Sequence, residues 1–365
     1  MRVIVSAGGT GGHIYPALAI MNKIKEKEPN SEFLYIGTIN RMEHTIIPEK
    51  GIPYFGIKIS GIDRKHIWKN IEVWKDYRNS LKILKKKIKD FHPDAVLGIG
   101  GYVTAPVIYT AKKLGYKTFI HEQNQIPGVS NKFLAHYADK IGVSLPDSIQ
   151  YFPKEKVIFT GNPRSEEAYY AKGVSKKELG LSLKEEKKLV LIVMGSLGST
   201  TMNQKLKETL PLFENKNYEV VFVTGKGYYD EYKKVRTPDN VKMVPNLDNM
   251  LEVLKKTDLI VSRAGASTIA EITAIGLPSI LIPSPYVTHN HQLKNAQALE
   301  KENATIIMEE KDYDSKKLVD TIDSILEDRT KYQTLKENTK KLGVVDSATK
   351  IYQVIRNLID GDKHE

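Results

Sequence analysis

The chain has 365 residues, no cysteine and a formal net charge of +11. Its length exceeds one ordinary open α/β domain, so two domains are expected, each able to bury its own core. The absence of thiols excludes disulfides, thiol catalysis and thiolate metal sites and fits a reducing cytoplasm; no run approaches the roughly 18 apolar residues of a membrane-spanning helix.

The N-terminus enters a strand-like run at once, with no signal-peptide layout. Short β-branched runs at 3–6, 32–36, 95–98, 117–120, 140–143 and 157–160 alternate with helical segments. The alternation predicts a parallel sheet covered on both faces. The pattern restarts after residue 187, with strands predicted at 189–194, 218–223, 241–244, 259–262, 279–282 and 305–308. Between the halves, 161–188 holds Asn162-Pro163, Gly173 and a Lys/Glu-rich run, which suits a domain boundary. The tail, 348–358, reads as a last amphipathic helix. Two doubly wound domains facing a cleft are expected, with ligands at the carboxyl ends of the strands.

Charge is unevenly placed. Residues 1–163 hold 24 Lys and Arg against 14 Asp and Glu, a net of +10, and the remainder nets +1. Such a half suits an anionic partner or is simply a solvated basic surface. The excess concentrates in 64–89, with ten basic residues and two acids. At about 100° per residue, Ile67, Ile71, Trp74, Tyr77, Leu81, Leu84 and Ile88 form one stripe, flanked by Lys75, Lys82, Lys86 and Lys89. Aromatics beside lysines suit an anionic membrane surface, with Trp68, Trp74, Lys82 and Lys86 as the contacts; a core-packed helix with a wet basic face is the alternative. No nucleic-acid motif accompanies the patch, so nucleic acid is not the expected partner.

Glycine-rich or polar loops end several strands. Gly8-Gly9-Thr10-Gly11-Gly12-His13 opens a helix, where free N–H groups and the helix dipole could hold a ligand. It is neither a G-x-G-x-x-G fingerprint nor a P-loop, and a tight turn is the alternative. His13 at that helix start is either a general base or a structural histidine. Gly100-Gly101-Tyr102 and His121-Glu122-Gln123-Asn124 follow two more strands, which places three such segments on one face. In the second half, Met194-Gly195-Ser196-Leu197-Gly198-Ser199 suits a phosphate-binding turn. Arg263-Ala264-Gly265-Ala266-Ser267-Thr268 leads into a helix carrying Glu271, which suits a diphosphate and ribose hydroxyls or is a first-turn acid favouring the dipole. His289 and His291 lack a third ligand of suitable spacing, so polar sugar contacts are expected there and no metal. Asp312-Tyr313-Asp314 reads as a solvated loop.

Taken in order, these motifs, with Gly161-Asn162-Pro163, resemble the MurG family of peptidoglycan glycosyltransferases from residue 1 to about 355. The resemblance implies a GT-B fold with two Rossmann-like domains: 1–163 facing the acceptor and membrane, 164–345 binding UDP-GlcNAc, and 346–365 a C-terminal helix and tail packing back on the first. It implies inverting transfer of N-acetylglucosamine from UDP-GlcNAc to the C4 hydroxyl of lipid-linked MurNAc-pentapeptide (lipid I) at the cytoplasmic membrane face. No cofactor is implied, and other cell-wall synthesis proteins are further partners. Carried over by motif, Ser196 contacts the diphosphate, Leu247 lies by the uracil, Thr268 by a phosphate, Glu271 on the ribose and Gln292 on sugar hydroxyls. Thr10, Gly11, Gly12, Asn124 and Arg164 complete the donor contacts. Gly101, Tyr102, His13 and Asn124 meet the acceptor, with His13 as base. The family often has Gly-Gly-Ser-Gln-Gly-Ala at 194–199 and Asn-Pro-Val-Arg where this chain has Asn162-Pro163-Arg164, so this chain lacks that glutamine and its arginine comes one residue early. On the same fold, a UDP-GlcNAc 2-epimerase would need several converging carboxylates; a non-catalytic basic adaptor would need no nucleotide pocket.

Overall fold

The computed structural model describes residues 1–61, 70–195, 198–287 and 290–361. The chain divides into two compact units, residues 1–164 with 346–365, and residues 165–345.

In the first unit the strands are β1 (Arg2–Ala7), β2 (Glu32–Thr38), β3 (Tyr54–Ile57), β4 (Ala95–Gly100), β5 (Lys117–Glu122), β6 (Lys140–Val143) and β7 (Val157–Phe159). They form a parallel sheet in the order β3-β2-β1-β4-β5-β6-β7. Alternation along each strand sorts side chains to opposite faces. Ile4, Ile36, Val96, Ile120 and Ile141 pack on one face with Leu84, Ile88, Val107 and Ile108. Val3, Val5, Tyr35, Leu97 and Phe119 pack on the other with Ile14, Ile20 and Ile24 of the helix Gly11–Lys27. Strand β3 escaped the sequence reading: it is four residues long, interrupted by Gly56 and only partly buried at the sheet edge.

The second unit repeats the plan with β8 (Lys188–Val193), β9 (Tyr218–Val223), β10 (Val241–Val244), β11 (Leu259–Ser262), β12 (Ser279–Leu281) and β13 (Ile306–Ile307), ordered β10-β9-β8-β11-β12-β13 and parallel. Val190, Ile192, Val220 and Phe222 pack on Leu206, Leu318 and Ile322. Leu189, Leu191, Val221 and Ile260 pack on Val253, Ile269, Ile272 and Leu299.

The last helix, Ser347–Asp360, returns to the first unit. Ile351 and Ile355 are fully buried beside Ile14 and Ile20, worth about 1.5–3 kcal/mol each by area. Glu28 receives the Met1 ammonium at 3.1 Å, the Tyr352 hydroxyl at 3.0 Å and the Arg356 guanidinium at 3.4 Å.

The basic segment resolves into two halves. Within the helix Asn70–Phe91, Leu84 and Ile88 are fully buried in the sheet-packing cluster and Tyr77 leans against it. Ile71 is 74% and Trp74 58% exposed. The expected stripe is therefore core-packed at its C-terminal end and uncovered at its N-terminal end. Ile67 and Trp68 lie outside the described residues. Lys75, Lys82, Lys86 and Lys89 are all exposed.

Candidate functional site

The first unit's candidate site grows from an irregularity in the sheet. Ser6 pairs with Gly98, but Ala7 pairs with Gly100, so the register slips by one residue at the end of β1. The chain then turns, and Gly8 N–H donates to the Gly100 carbonyl at 3.1 Å. A Cβ on Gly100 would sit 2.4 Å from the His13 ring, and one on Gly101 would sit 2.4 Å from the Gly8 carbonyl oxygen. Both glycines hold positive φ, +130° and +91°. Only glycine serves here, because the imidazole and the first loop lie directly on the second loop's backbone.

His13 is half-buried in the first turn of the helix Gly11–Lys27, whose N-cap is Thr10. Its Nδ1 lies 3.0 Å from the Gly8 carbonyl oxygen. A carbonyl can only accept, so in the neutral ring Nδ1 carries the hydrogen and Nε2 the lone pair. Thr10 and Gly12 are exposed, Gly11 is buried and Tyr102 half-buried.

The segment after β5 is fastened by two buried side chains. Glu122 accepts Asn124 N–H (2.9 Å), Asn124 Nδ2 (3.2 Å), Gly128 N–H (3.0 Å) and Asn131 Nδ2 (2.8 Å). With four donors on two oxygens, it shapes the 122–131 loop and orients Asn124 rather than serving as a spare base. His121 is fully buried, and burial pushes its pKa down from the ordinary 6.5 to about 4. Its Nε2 lies 3.0 Å from the Gly161 carbonyl, and Gln123 Nε2 approaches its Nδ1 at 3.1 Å, so it ties the end of β5 to residues 160–161 as a neutral strut. Arg164 places its guanidinium 5.7 Å from the centre of the Tyr15 ring.

In the second unit one guanidinium organises the strand ends. Arg263, just past β11, donates to Ser199 Oγ at 2.8 Å, to the Ile282 carbonyl at 3.1 Å and to Glu310 Oε2 at 2.6 Å. Thr201 donates to Glu310 Oε1 at 2.6 Å. Segments following β8, β11, β12 and β13 are thus held by a nearly buried ion pair, which geometry this complete can sustain. Ser199 also caps the helix Thr200–Thr209. Ser196 and Leu197 lie outside the described residues, so the diphosphate contact expected of Ser196 does too.

Gly265 caps the helix Ala266–Ile275. Thr268 is half-buried in its first turn, and Glu271 lies beyond that turn, 9% exposed. Glu271 is therefore not the first-turn acid that the dipole alone would favour. Leu247 packs half-buried against the core beneath β10. Gln292, at the start of the helix His291–Glu300, accepts Ser284 N–H at 2.8 Å on its Oε1, leaving its amide N–H groups as the donors it offers. His289 lies outside the described residues; among those described, no three His, Asp or Glu gather as a metal site. The Asp312-Tyr313-Asp314 stretch is less loose than a solvated loop. Tyr313 packs on the core beside Thr209, and Asp314 caps the helix Ser315–Glu327 through Lys317 N–H at 2.8 Å.

Sequence reasoning missed Glu43, Asn131 and Glu310. Glu43 reaches Gly9, 34 residues away, Glu310 reaches Arg263 and Thr201, 47 and 109 residues away, and Asn131 lies nine residues past Glu122; no local spacing marks any of them.

Two family models match the chain: the glycosyltransferase family 28 N-terminal domain over residues 3–143 and the family 28 C-terminal domain over 189–351. A protein of Bacillus cytotoxicus, named UDP-N-acetylglucosamine–N-acetylmuramyl-(pentapeptide) pyrophosphoryl-undecaprenol N-acetylglucosamine transferase, is 47% identical over 98% of this chain and 100% of its own length. The Bacillus subtilis protein of that name is 44% identical, over 98% and 99%. Among solved structures, MurG of Acinetobacter baumannii superposes with a TM-score of 0.76 at 24% identity, over 98% of this chain and 99% of that one. A Neisseria meningitidis UDP-GlcNAc 2-epimerase bound to UDP-GlcNAc shares the fold, with a TM-score of 0.68 at 14% identity, over 98% and 100%.

Proposed function

The chain belongs to glycosyltransferase family 28, and from that premise we infer that it transfers N-acetylglucosamine from UDP-GlcNAc to undecaprenyl-pyrophosphoryl-MurNAc-pentapeptide, forming the disaccharide-lipid precursor of peptidoglycan. The observation that carries this reading is identity of 44–48% over essentially the whole length of relatives named for that reaction.

The geometry supplies a chemistry for it. The acceptor's C4 hydroxyl attacks the anomeric carbon of the donor sugar. Its proton goes to His13 Nε2, the lone pair left open when Nδ1 binds Gly8. The C–O bond to UDP breaks, and the electron pair leaves on the β-phosphate. The N-terminus of the helix Ala266–Ile275, with Thr268 in its first turn, supports stabilisation of that charge. Glu271 accepts from ribose hydroxyls, Leu247 flanks the uracil, and Gln292 donates to the sugar. Ser196 meets the diphosphate; Thr10, Gly11, Gly12, Asn124 and Arg164 bear on the donor, and Gly101 and Tyr102 on the acceptor. A 2-epimerase reading is disfavoured, since the buried carboxylates at the first unit's strand ends, Glu43 and Glu122, are occupied by N–H and O–H donors of the protein itself.

No helix among the described residues is long and apolar enough to cross a membrane. We propose peripheral attachment at the cytoplasmic membrane face. Ile71, Trp74, Lys75, Arg78, Asn79 and Lys82 line one shallow recess of about 450 Å³, uncovered aromatic and aliphatic surface amid cations, and that combination suits anionic headgroups.

Turnover of UDP-GlcNAc with the lipid-linked MurNAc-pentapeptide, read as UDP release and as the disaccharide-lipid product, tests the reaction. UDP release without that product, or interconversion of UDP-GlcNAc with its 2-epimer, would overturn it.

A further inference from the structure

Beneath the first glycine loop lies a carboxylate that the reaction scheme does not use. Glu43 begins the short helix Glu43–Glu49 and is fully buried. Its Oε2 accepts Gly9 N–H at 3.1 Å. Its Oε1 accepts Thr38 N–H at 3.1 Å and the Thr38 hydroxyl at 2.7 Å. A Cβ on Gly8 would sit 2.4 Å from Glu43 Oε1, so loop and carboxylate are in direct contact. From the other side, Gly8 N–H is held by Gly100 and its carbonyl lies against Gly101.

We infer that Glu43 is a positioning residue for the transfer reaction: its buried carboxylate fixes the 8–10 turn from below, so that the Gly8 carbonyl meets His13 Nδ1 and Nε2 is left as the open lone pair. This rests on the reading of His13 as the base. A buried carboxylate needs its hydrogen bonds, and charge-assisted ones are the stronger kind. Here all three come from two segments, the end of β2 and the glycine loop. The carboxylate therefore clamps the loop to β2, and the peptide unit it grips, between Gly8 and Gly9, is the one whose carbonyl orients the imidazole. An anion at this spot also keeps the Gly9 N–H from serving as a phosphate donor, which fits a loop that presents a base.

Glu43→Gln keeps the shape but sets an amide N–H₂ against either Gly9 N–H or the Thr38 donors. Expected is a fall in kcat of about 10- to 100-fold, the range for losing hydrogen bonds to a charged group, with calorimetric UDP affinity unchanged. In a His13→Ala background the same substitution should cost less than about threefold, because both changes act through one group. A second readout needs no turnover: nitrogen NMR of labelled histidine should show His13 as the Nδ1–H tautomer in the native chain and as a mixture in Glu43→Gln. Should Glu43→Gln fail to fold, Glu43→Asp, which keeps the charge but loses reach, should give a smaller kcat loss with the same coupling to His13. Losses that multiply in the double variant, or an unchanged tautomer despite a kcat loss, would overturn the positioning role. A native chain that fails to make the disaccharide-lipid defeats the proposed reaction instead, while the tautomer measurement still judges Glu43.

Discussion

His13 Nδ1 lies 3.0 Å from the carbonyl oxygen of Gly8, five residues earlier in the chain. One hydrogen bond thus decides which ring nitrogen carries the proton. His13→Ala should lower kcat by about 10²–10⁴-fold, the usual worth of a general base, and leave UDP affinity nearly intact. His13→Asn should not restore the rate, since an amide cannot accept the proton. A near-normal kcat in steady-state assays would remove His13 from the mechanism.

Glu271 is almost buried beyond the first turn of its helix. Its proposed work is accepting hydrogen bonds from the ribose. Glu271→Ala should weaken UDP-GlcNAc binding by about 1–3 kcal/mol, measured by calorimetry. Because UDP carries the same ribose, UDP should lose as much; a loss confined to the sugar nucleotide would relocate the contact.

Arg263 and Glu310 form a nearly buried ion pair that gathers four strand ends. Arg263→Ala leaves Glu310 without its counter-charge, and the expected loss is about 3–5 kcal/mol of stability. Adding Glu310→Gln should recover part of it, because the stranded charge is then gone. Thermal unfolding of the three variants would show whether the second change rescues or deepens the first.

His121 is held neutral by burial, with a pKa of about 4 against an ordinary 6.5. Between those values the unfolded chain binds the proton and the folded chain does not, so stability falls as pH drops from about 6.5 towards 4 and is complete above that window. The loss amounts to about 3 kcal/mol, from 1.36 kcal/mol per unit. His121→Gln does not titrate, and urea midpoints across this range should be flatter than for the native chain. Equal slopes would mean that other groups carry the acid sensitivity.

Changing Lys82, Lys85, Lys86 and Lys89 to glutamine should weaken binding to anionic vesicles, each cation near such a surface contributing about 1 kcal/mol. Turnover of the long-chain acceptor should fall, while that of a short soluble one is nearly kept. Native binding should weaken with salt and be slight on neutral vesicles. Equal losses on both acceptors would make the segment structural.

Much of the fold was legible because its signals are local. β-Branched runs of four to six residues separated by helical periods announce a doubly wound sheet whatever the partners, and a helix opening on glycines marks a strand end where ligands gather. The order of the glycine loops likewise points to the glycosyltransferase family from the sequence alone. Strand β3 gave little warning, since Tyr54–Ile57 is short and owes its extension to pairing with β2.

What only the tertiary structure decided depends on residues far apart in the chain. The periodic stripe along 71–88 looks uniform in sequence, yet Leu84 and Ile88 meet the sheet while Ile71 and Trp74 project past it; burial depends on where a neighbouring layer ends. Ile351 and Ile355 give the last helix an apolar face; the family resemblance implied that it packs back on the first unit, but only the structure shows which residues it meets there, Ile14 and Ile20 among them. Nothing in the local sequence marks Glu43. It becomes the loop's anchor because the sheet brings Gly9, 34 residues earlier, within 3.1 Å of it. Periodicity determines which elements form; which polar groups meet is settled only when the sheet is assembled, because a hydrogen bond needs its partners within a few tenths of an ångström and the chain alone sets no such distance.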